Sequence, residues 1–465
     1  MLSLGVLSGC MSDTPYVTSI EKTRTVGLAD YYTITYSDGT TSEFTVTNGK
    51  DGSDGRDGTD AQDVTAMDVY ETYKSIYGEE LTFKEFCEKY LTVNTNSTAA
   101  LNSCLRSCLK VYTVFHETAY SSGIGWSQTQ VVKEASYSGS AVVYKMEEEY
   151  TYILTNYHVT FDEKAAAGYS SLTEKTWVYL YGSEYAPVQD TNGDIILSPY
   201  DTYGVACDYV GGSIEYDVAV IRAKTADLLK VNPQVTPVTV CYDFNVGEHT
   251  YAVGNPDDGG ISVTEGVVSV DSDTIELAID GKTRQYRSIR TDTALTHGNS
   301  GGGLFNMRGE LIGLNNAGDE DITSMNFAIP ASVLTAVADG VMYYNAANPS
   351  EKNTYITKLG VTVRSVNSRY VYDAATGGGY IKEDVTVEEI TAGKLFATSG
   401  LQVGDVITSM TLNGKTTEIT RSFKMTDVLL CARASDKITF GYTRGGVAGE
   451  SVEVTVGALD IEKVK

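Results

Sequence analysis

The chain has 465 residues, 42% of them hydrophobic and 10% aromatic, enough apolar content for cores in about three domains at a prior of ~150 residues each. With 61 acidic against 35 basic residues the net charge is −26, which excludes a phosphate-binding surface of the nucleic-acid type and implies only solubility and repulsion from anionic surfaces. Four histidines and seven scattered cysteines, none in a Cys-x-x-Cys pair, supply no zinc-ligand set, and no cofactor or metal is implied.

Taken in order, residues 1–10 end in Leu7-Ser8-Gly9-Cys10. This resembles a bacterial lipobox, in which small residues precede a lipidated cysteine, although the basic region that normally comes first is missing. A lipid anchor on Cys10 and a membrane-attached, extracytoplasmic location are the expectation, since a diacylglyceryl group supplies the two chains that stable anchoring needs. No run of ~18 apolar residues offers a membrane-spanning helix.

Within 11–48, Tyr32–Tyr36 and Glu43–Val46 alternate around Ser37-Asp38-Gly39, which predicts a β-hairpin. Across 49–62, Gly49, Gly52, Gly55 and Gly58 recur at every third position without proline. Too few triplets are present for a collagen triple helix, so a flexible acidic spacer is the reading. From 63 to 101, Ala66, Val69, Tyr70, Tyr73, Ile76 and Tyr77 share a helical face, as do Phe83, Phe86, Cys87, Tyr90 and Leu91. Thr82 and Glu85 make a capping box, and a helical hairpin is expected.

Between 103 and 345 the pattern becomes many short strands rich in Val, Ile, Thr and Tyr, as in a β-barrel or sandwich. Ser140–Tyr144 and Tyr150–Leu154 read as a hairpin that delivers His158 to its end, and Ser171 to Ile214 as a long loop before Asp217. The stretch Asp292 to Leu304 sets Asn299-Ser300 among Gly298, Gly301, Gly302 and Gly303. Glycine lets successive backbone N–H groups converge on one point, where an oxyanion forms if the serine attacks a carbonyl. Such a serine needs a base, and the base needs an orienting group. Thr155-Asn156-Tyr157-His158-Val159 and Asp217-Val218-Ala219-Val220 supply the candidates.

These motifs, in the order His, Asp, Ser, resemble the chymotrypsin-like serine proteases. With Val253-Gly254-Asn255-Pro256 and Asn326-Phe327-Ala328-Ile329-Pro330 they are most similar to the HtrA (Deg) branch. The resemblance covers roughly residues 103–460. It implies a mostly β fold of two six-stranded antiparallel barrels. It makes His158 the base, Asp217 its orienter, Ser300 the nucleophile, and the N–H groups of Gly298 and Ser300 the oxyanion hole. It also implies that Ala294, Leu295 and Thr296 form the base of the primary pocket and Asn315 and Asn316 its wall. None is acidic, so a small or mid-sized apolar residue before the scissile bond is expected. Asn315 is a further candidate to bond the substrate backbone, and His297 to sit at the mouth of the site. His116 and His249 carry no motif and read as structural or exposed. Family members are commonly trimers, so the resemblance extends to a homotrimer.

Pro330 and Pro349 bracket a predicted helix, Ala331 to Tyr344. Within 351–465, Gly400-Leu401 and Gly404-Asp405-Val406-Ile407, then a helix over Thr426–Ala432 and late strands, resemble the PDZ α/β domain appended in this branch. That resemblance places a peptide C-terminus at Leu359, Gly360 and Val361, and the insertion Asn367 to Ile381 is longer than usual. The whole reads as a lipid-anchored serine endopeptidase acting through an acyl-enzyme on misfolded or specific envelope proteins. The rival reading is a noncatalytic peptide-binding lipoprotein that uses the protease fold as a scaffold.

Overall fold

The structure, a computed structural model, describes residues 17–26, 29–36, 39–47, 70–74, 97–122, 128–197, 203–318, 324–373 and 378–464. Cys10, the spacer at 49–62 and most of the helical segment at 63–101 lie outside them. The chain divides into two units, Met1–Thr92 and Val93–Lys465.

In the first unit β1 (Val17–Val26), β2 (Ala29–Tyr36) and β3 (Thr41–Thr47) form an antiparallel sheet in that order. The expected hairpin is β2–β3, with Tyr32 opposite Phe44. Strand β1 has no counterpart in the sequence reading because its Glu21-Lys22-Thr23-Arg24-Thr25 stretch has no apolar alternation. Main-chain pairing with β2 holds it, with Lys22–Asp30 at 2.7 Å and Arg24–Glu43 at 2.8 Å beside the ladder.

The second unit opens with α1 (Ser97–Ser107), which runs directly into β4 (Cys108–Ser122). After β4 come β5 (Gln128–Met146), β6 (Tyr150–Thr155) and β7 (Lys175–Leu180). A two-residue pair, β8 (Val188–Gln189) and β9 (Ile195–Ile196), precedes β10 (Val205–Ser213) and β11 (Val218–Lys224). Six of these close a barrel in the order β10-β11-β6-β5-β4-β7. The stretch from Ser171 to Ile214, read from sequence as a loop, therefore contains two barrel strands. In β7 the last five residues, Thr176 to Leu180, are all buried, and a strand covered on both faces loses the polar alternation that would announce it.

After α2 (Thr225–Val231) come β12 (Thr239–Val240), β13 (His249–Gly254), β14 (Ser262–Ile279), β15 (Lys282–Thr291), β16 (Gly303–Asn306), β17 (Glu310–Gly318) and β18 (Asn326–Pro330). β17 pairs with both β16 and β18, so β13 to β18 close a second six-stranded ring, to which β12 adds in parallel. Helix α3 (Ala331–Ala347) starts at Pro330, whose fixed φ of −59° suits a cap where no N–H is required, and it stops before Pro349. Its Val333, Leu334, Val337 and Val341 pack with Val210, Val218, Leu314 and Ile329 of both barrels in one core. Burying each such side chain contributes roughly 1.5–3 kcal/mol.

Beyond it, β19 (Thr354–Thr357) pairs with the last strand, β27 (Ile461–Val464). Between them lie β20 (Val361–Asp373), β21 (Gly378–Ile390), β22 (Val406–Leu412), β23 (Lys415–Glu418), α4 (Phe423–Cys431), β24 (Lys437–Arg444), β25 (Val447–Ala448) and β26 (Val452–Thr455). Their separate core includes Leu359, Phe396, Met410 and Phe440. β20 is an edge strand of the sheet β20-β21-β22-β24-β25, and the insertion Asn367–Ile381 lengthens the β20–β21 hairpin. Asp405 of the Gly-Asp pair is buried, accepting the Gln402 N–H at 2.7 Å and two bonds from Arg444 at 2.6 and 2.7 Å.

Candidate active site

Three strand ends meet at one cleft. β6 ends at Thr155, and the chain turns through Asn156 into a single 3-10 turn, Tyr157–Thr160, which carries His158. Asp217 sits in the turn between β10 and β11 and has no exposed surface. Its φ is +51°, a left-handed conformation that aspartate tolerates better than most residues. From there Oδ1 accepts the backbone N–H of His158 at 2.9 Å, and Oδ2 lies 2.8 Å from His158 Nδ1. The Asp217 carbonyl in turn accepts Asn156 Nδ2 at 3.0 Å. An aspartate fixed at three points, two through its carboxylate and one through its main-chain carbonyl, thus selects the tautomer with the imidazole proton on Nδ1 and leaves Nε2 for the cleft. Burial pushes the His158 pKa down, but the Asp217 charge and its hydrogen bond push harder, and the net shift is upward from 6.5.

Ser300 follows β15 and precedes β16, and its Oγ donates to the Asn316 carbonyl at 3.0 Å. Asn316 falls at an irregularity in the β17–β18 ladder between Asn315 and Ala317, which turns that carbonyl toward the serine. Around Ser300, Asn299 N–H is held by the Thr296 carbonyl at 3.1 Å and Gly301 N–H by that of Asn315 at 2.9 Å. The N–H groups of Gly298 and Ser300 have no partner among the described residues. Gly298 has φ +88°, and a Cβ there would lie 2.2 Å from the Asn255 carbonyl oxygen, so only glycine fits.

The cleft, about 800 Å3, is lined by His158, Ser300, Ala294, Leu295, Thr296, His297, Asn315 and Asn316 among others. All the barrel residues singled out in the sequence for substrate contact therefore face one space with His158 and Ser300. Asn315 needs correction in one respect. Its N–H donates to Gly302, its carbonyl accepts from Gly301, and its Nδ2 reaches Gly303, so its main chain does not receive a substrate strand. Asn316 is different, since both its carboxamide atoms are buried without a partner among the described residues.

Sequence reasoning missed Asp257, Leu277, Ala278 and Ile279, which also line the cleft. The last three belong to the far end of the long β14–β15 hairpin, whose Asp280-Gly281 tip was the available signal. Of the other histidines, His116 stacks on Tyr169 between Glu134 and Glu174, and His249 pairs with Glu265 at 3.3 Å on the surface. Leu359, Gly360 and Val361 lie together where the chain enters β20. Leu359 is buried, and Gly360 has φ +73°.

A family model described as the trypsin-like peptidase domain matches residues 139–314. The serine protease Do-like HtrA of Lactococcus lactis subsp. cremoris is 27% identical over 80% of this chain and 86% of its own. A probable periplasmic serine endoprotease, DegP-like, of Pseudomonas putida is 31% identical over 57% of this chain and 51% of its own. Among solved structures, an HtrA-type protease AlgW with decapeptide is 23% identical, covers 78% of this chain and 98% of that one, and has a TM-score of 0.45. Matching the trypsin-like peptidase domain at 139–314, and similar to HtrA and DegP-like proteases over 80% and 57% of its length, the chain is a serine-type peptidase that resembles the HtrA proteases.

Proposed function

We propose that the protein hydrolyses peptide bonds through an acyl-enzyme on Ser300, with His158 as base and acid, Asp217 as its orienter, and the N–H groups of Gly298 and Ser300 as oxyanion donors. One observation carries the reading. Asp217, buried outright, grips both the main chain and Nδ1 of His158 in the same cleft as Ser300, whose N–H, like that of Gly298, has no partner among the described residues.

In the reaction, Ser300 Oγ leaves the Asn316 carbonyl and attacks the scissile carbonyl carbon as its proton passes to His158 Nε2. The carbonyl π pair moves onto oxygen, which the two amides receive. Collapse breaks the C–N bond, and His158 returns the proton to the leaving amine. Water then attacks the ester by the same route, giving the acid and free Ser300.

The finer reading is that the substrates are misfolded or specific envelope proteins, selected for a small or mid-sized apolar residue at the pocket of Ala294, Leu295 and Thr296. The C-terminal sheet would serve as a PDZ domain, since β20 is an unpaired edge that an added strand can extend. An extracytoplasmic location is supported by the similarity to DegP and DegP-like proteases that are periplasmic, and attachment would be through Cys10.

The test is degradation of unfolded casein by wild type and Ser300→Ala side by side, with cut sites read by mass spectrometry. Cleavage that disappears in the variant is the expected result. No cleavage by either, with C-terminal peptides added, would move the weight to the scaffold reading. A mature chain with unmodified Cys10 and sequence upstream of it would remove the anchor.

A further inference from the structure

Three peptide planes around the nucleophile are pinned through their carbonyls, to Ser140 or within the loop itself. That of Asn299 accepts from Gly302 N–H at 2.9 Å, that of Ser300 from Ser140 N–H at 2.8 Å, and that of Gly298 from Ser140 Oγ at 2.7 Å. The plane that carries the Gly298 N–H donor is pinned differently, through the His297 carbonyl, which accepts the N–H of Asp257 at 2.7 Å. A peptide plane is rigid, so whatever fixes Asp257 fixes the direction of the Gly298 donor.

Asp257 is held in an unfavourable backbone. It has φ +47° and ψ +34°, and Asp258 after it has φ +60°. Two successive non-glycine residues in the left-handed region persist only where the surroundings hold them. What holds them comes from the other barrel. On β4, Lys110 is 3% exposed, which for a lysine demands a partner. Its Nζ lies 2.9 Å from Asp258 Oδ1 and 3.3 Å from the Asp258 carbonyl. Tyr112, two residues along the same strand face, donates its hydroxyl to both Asp258 oxygens at 2.8 and 2.9 Å. Asn255 closes the turn by accepting Gly260 N–H on Oδ1 at 2.9 Å.

We propose that Lys110 and Tyr112 are positioning residues for the oxyanion hole. By clamping Asp258 they hold the turn in the left-handed form from which Asp257 N–H grips the His297 carbonyl and aims the Gly298 N–H at the reacting oxygen. The inference rests on the assignment of Gly298 and Ser300 made above. It ties the chemistry of the second barrel to a buried cation of the first, some 190 residues earlier in sequence than Ser300.

The test compares wild type, Lys110→Met, the double variant Lys110→Met/Asp258→Gly, and Ser300→Ala on one peptide substrate. Inhibition by a peptide boronate, whose tetrahedral adduct places an oxygen in the hole, is measured alongside. Lys110→Met keeps the length of the side chain, and it strands no buried charge because the Asp258 side chain is 47% exposed. The expected result is a kcat lower by about 10-fold or more, part of the effect of removing a whole donor, with KM within about 2-fold and boronate affinity falling with kcat. Glycine adopts φ +60° without cost, so Asp258→Gly in the Lys110→Met background restores most of the lost kcat. A general loss of stability would not be rescued in this way. Unchanged kcat and boronate affinity in Lys110→Met, or a loss that Asp258→Gly leaves in place, overturns the proposal. Ser300→Ala separates the two readings: if it still cleaves, the catalytic assignment falls, and if it is inert while Lys110→Met is unimpaired, only the clamp falls.

Discussion

Gly298→Ala perturbs the proposed oxyanion hole with a single methyl group. The added Cβ would approach the Asn255 carbonyl oxygen to 2.2 Å where 3.0 Å is the floor for real Cβ contacts, and it would lie 3.2 Å from the Asp257 amide nitrogen. Either Asn255 or residue 298 must yield by about 0.8 Å, and alanine at φ +88° costs a further ~1–2 kcal/mol. An oxyanion donor acts within a window of about 2.7–3.1 Å, so a displacement of that size removes it, a loss of roughly 100- to 1000-fold in kcat. The effect on folding is smaller, a fall in Tm of a few degrees. Steady-state kinetics on a cleaved peptide, with thermal unfolding on the same samples, separates the two effects. The expected pattern is a kcat down by about 100-fold or more, KM within about 3-fold, and a folded protein. A variant that retains kcat within about 3-fold would refute the assignment of this amide as an oxyanion donor.

Three other expectations follow from the structure. Because the His158 pKa is shifted upward from 6.5, and only the neutral imidazole accepts a proton, kcat/KM should rise with pH through a midpoint above 6.5, and a midpoint below it would contradict the Asp217 coupling. The linked stability has the opposite sign: the stabilisation of protonated His158 is complete below the unfolded value and is lost as pH rises through the folded one. Glu351, desolvated yet bonded by Asn353, Lys463 and Tyr355, has its pKa lowered to about 2. Its contribution is therefore present above the ordinary carboxyl value and lost as pH falls toward 2; Glu351→Gln should cost about 1–2 kcal/mol at pH 7 after allowing for solvent screening and little at pH 2, as read by urea unfolding. Asn316→Leu replaces a carboxamide that is buried without a partner among the described residues, and since an unpaired amide beside an apolar substrate side chain costs about 1–3 kcal/mol, cleavage after leucine or valine should improve relative to cleavage after serine or glutamine. An unchanged ranking would show that Asn316 does not touch that side chain.

Much of this was legible in the chain because the informative features are local. Gly298-Asn299-Ser300-Gly301, the turn at His158 and the turn at Asp217 before β11 each encode their own backbone, and the resemblance carried by their order implied the two barrels. The hairpin delivering His158 and the helix from Ala331 also follow from alternation and from proline. Other features were hidden for physical reasons. Buried on both faces, β7 shows no alternation, and β1 is held by main-chain bonds and exposed ion pairs rather than by an apolar pattern. Lys110 and Asp258 are 148 positions apart, and nothing local to either names the other. Likewise the Asn315 main chain was a plausible substrate ladder until its bonds to Gly301 and Gly302 placed it inside the loop.

The most direct test of the central claim is covalent labelling of the full chain with a fluorophosphonate, which reacts with a serine only when a base and an oxyanion site activate it. Tryptic mass spectrometry would locate the adduct. The account predicts one dominant adduct on Ser300, absent in Ser300→Ala and slowed strongly in His158→Ala. Labelling that persists in Ser300→Ala, or that leaves Ser300 unmodified in the wild type, would contradict it.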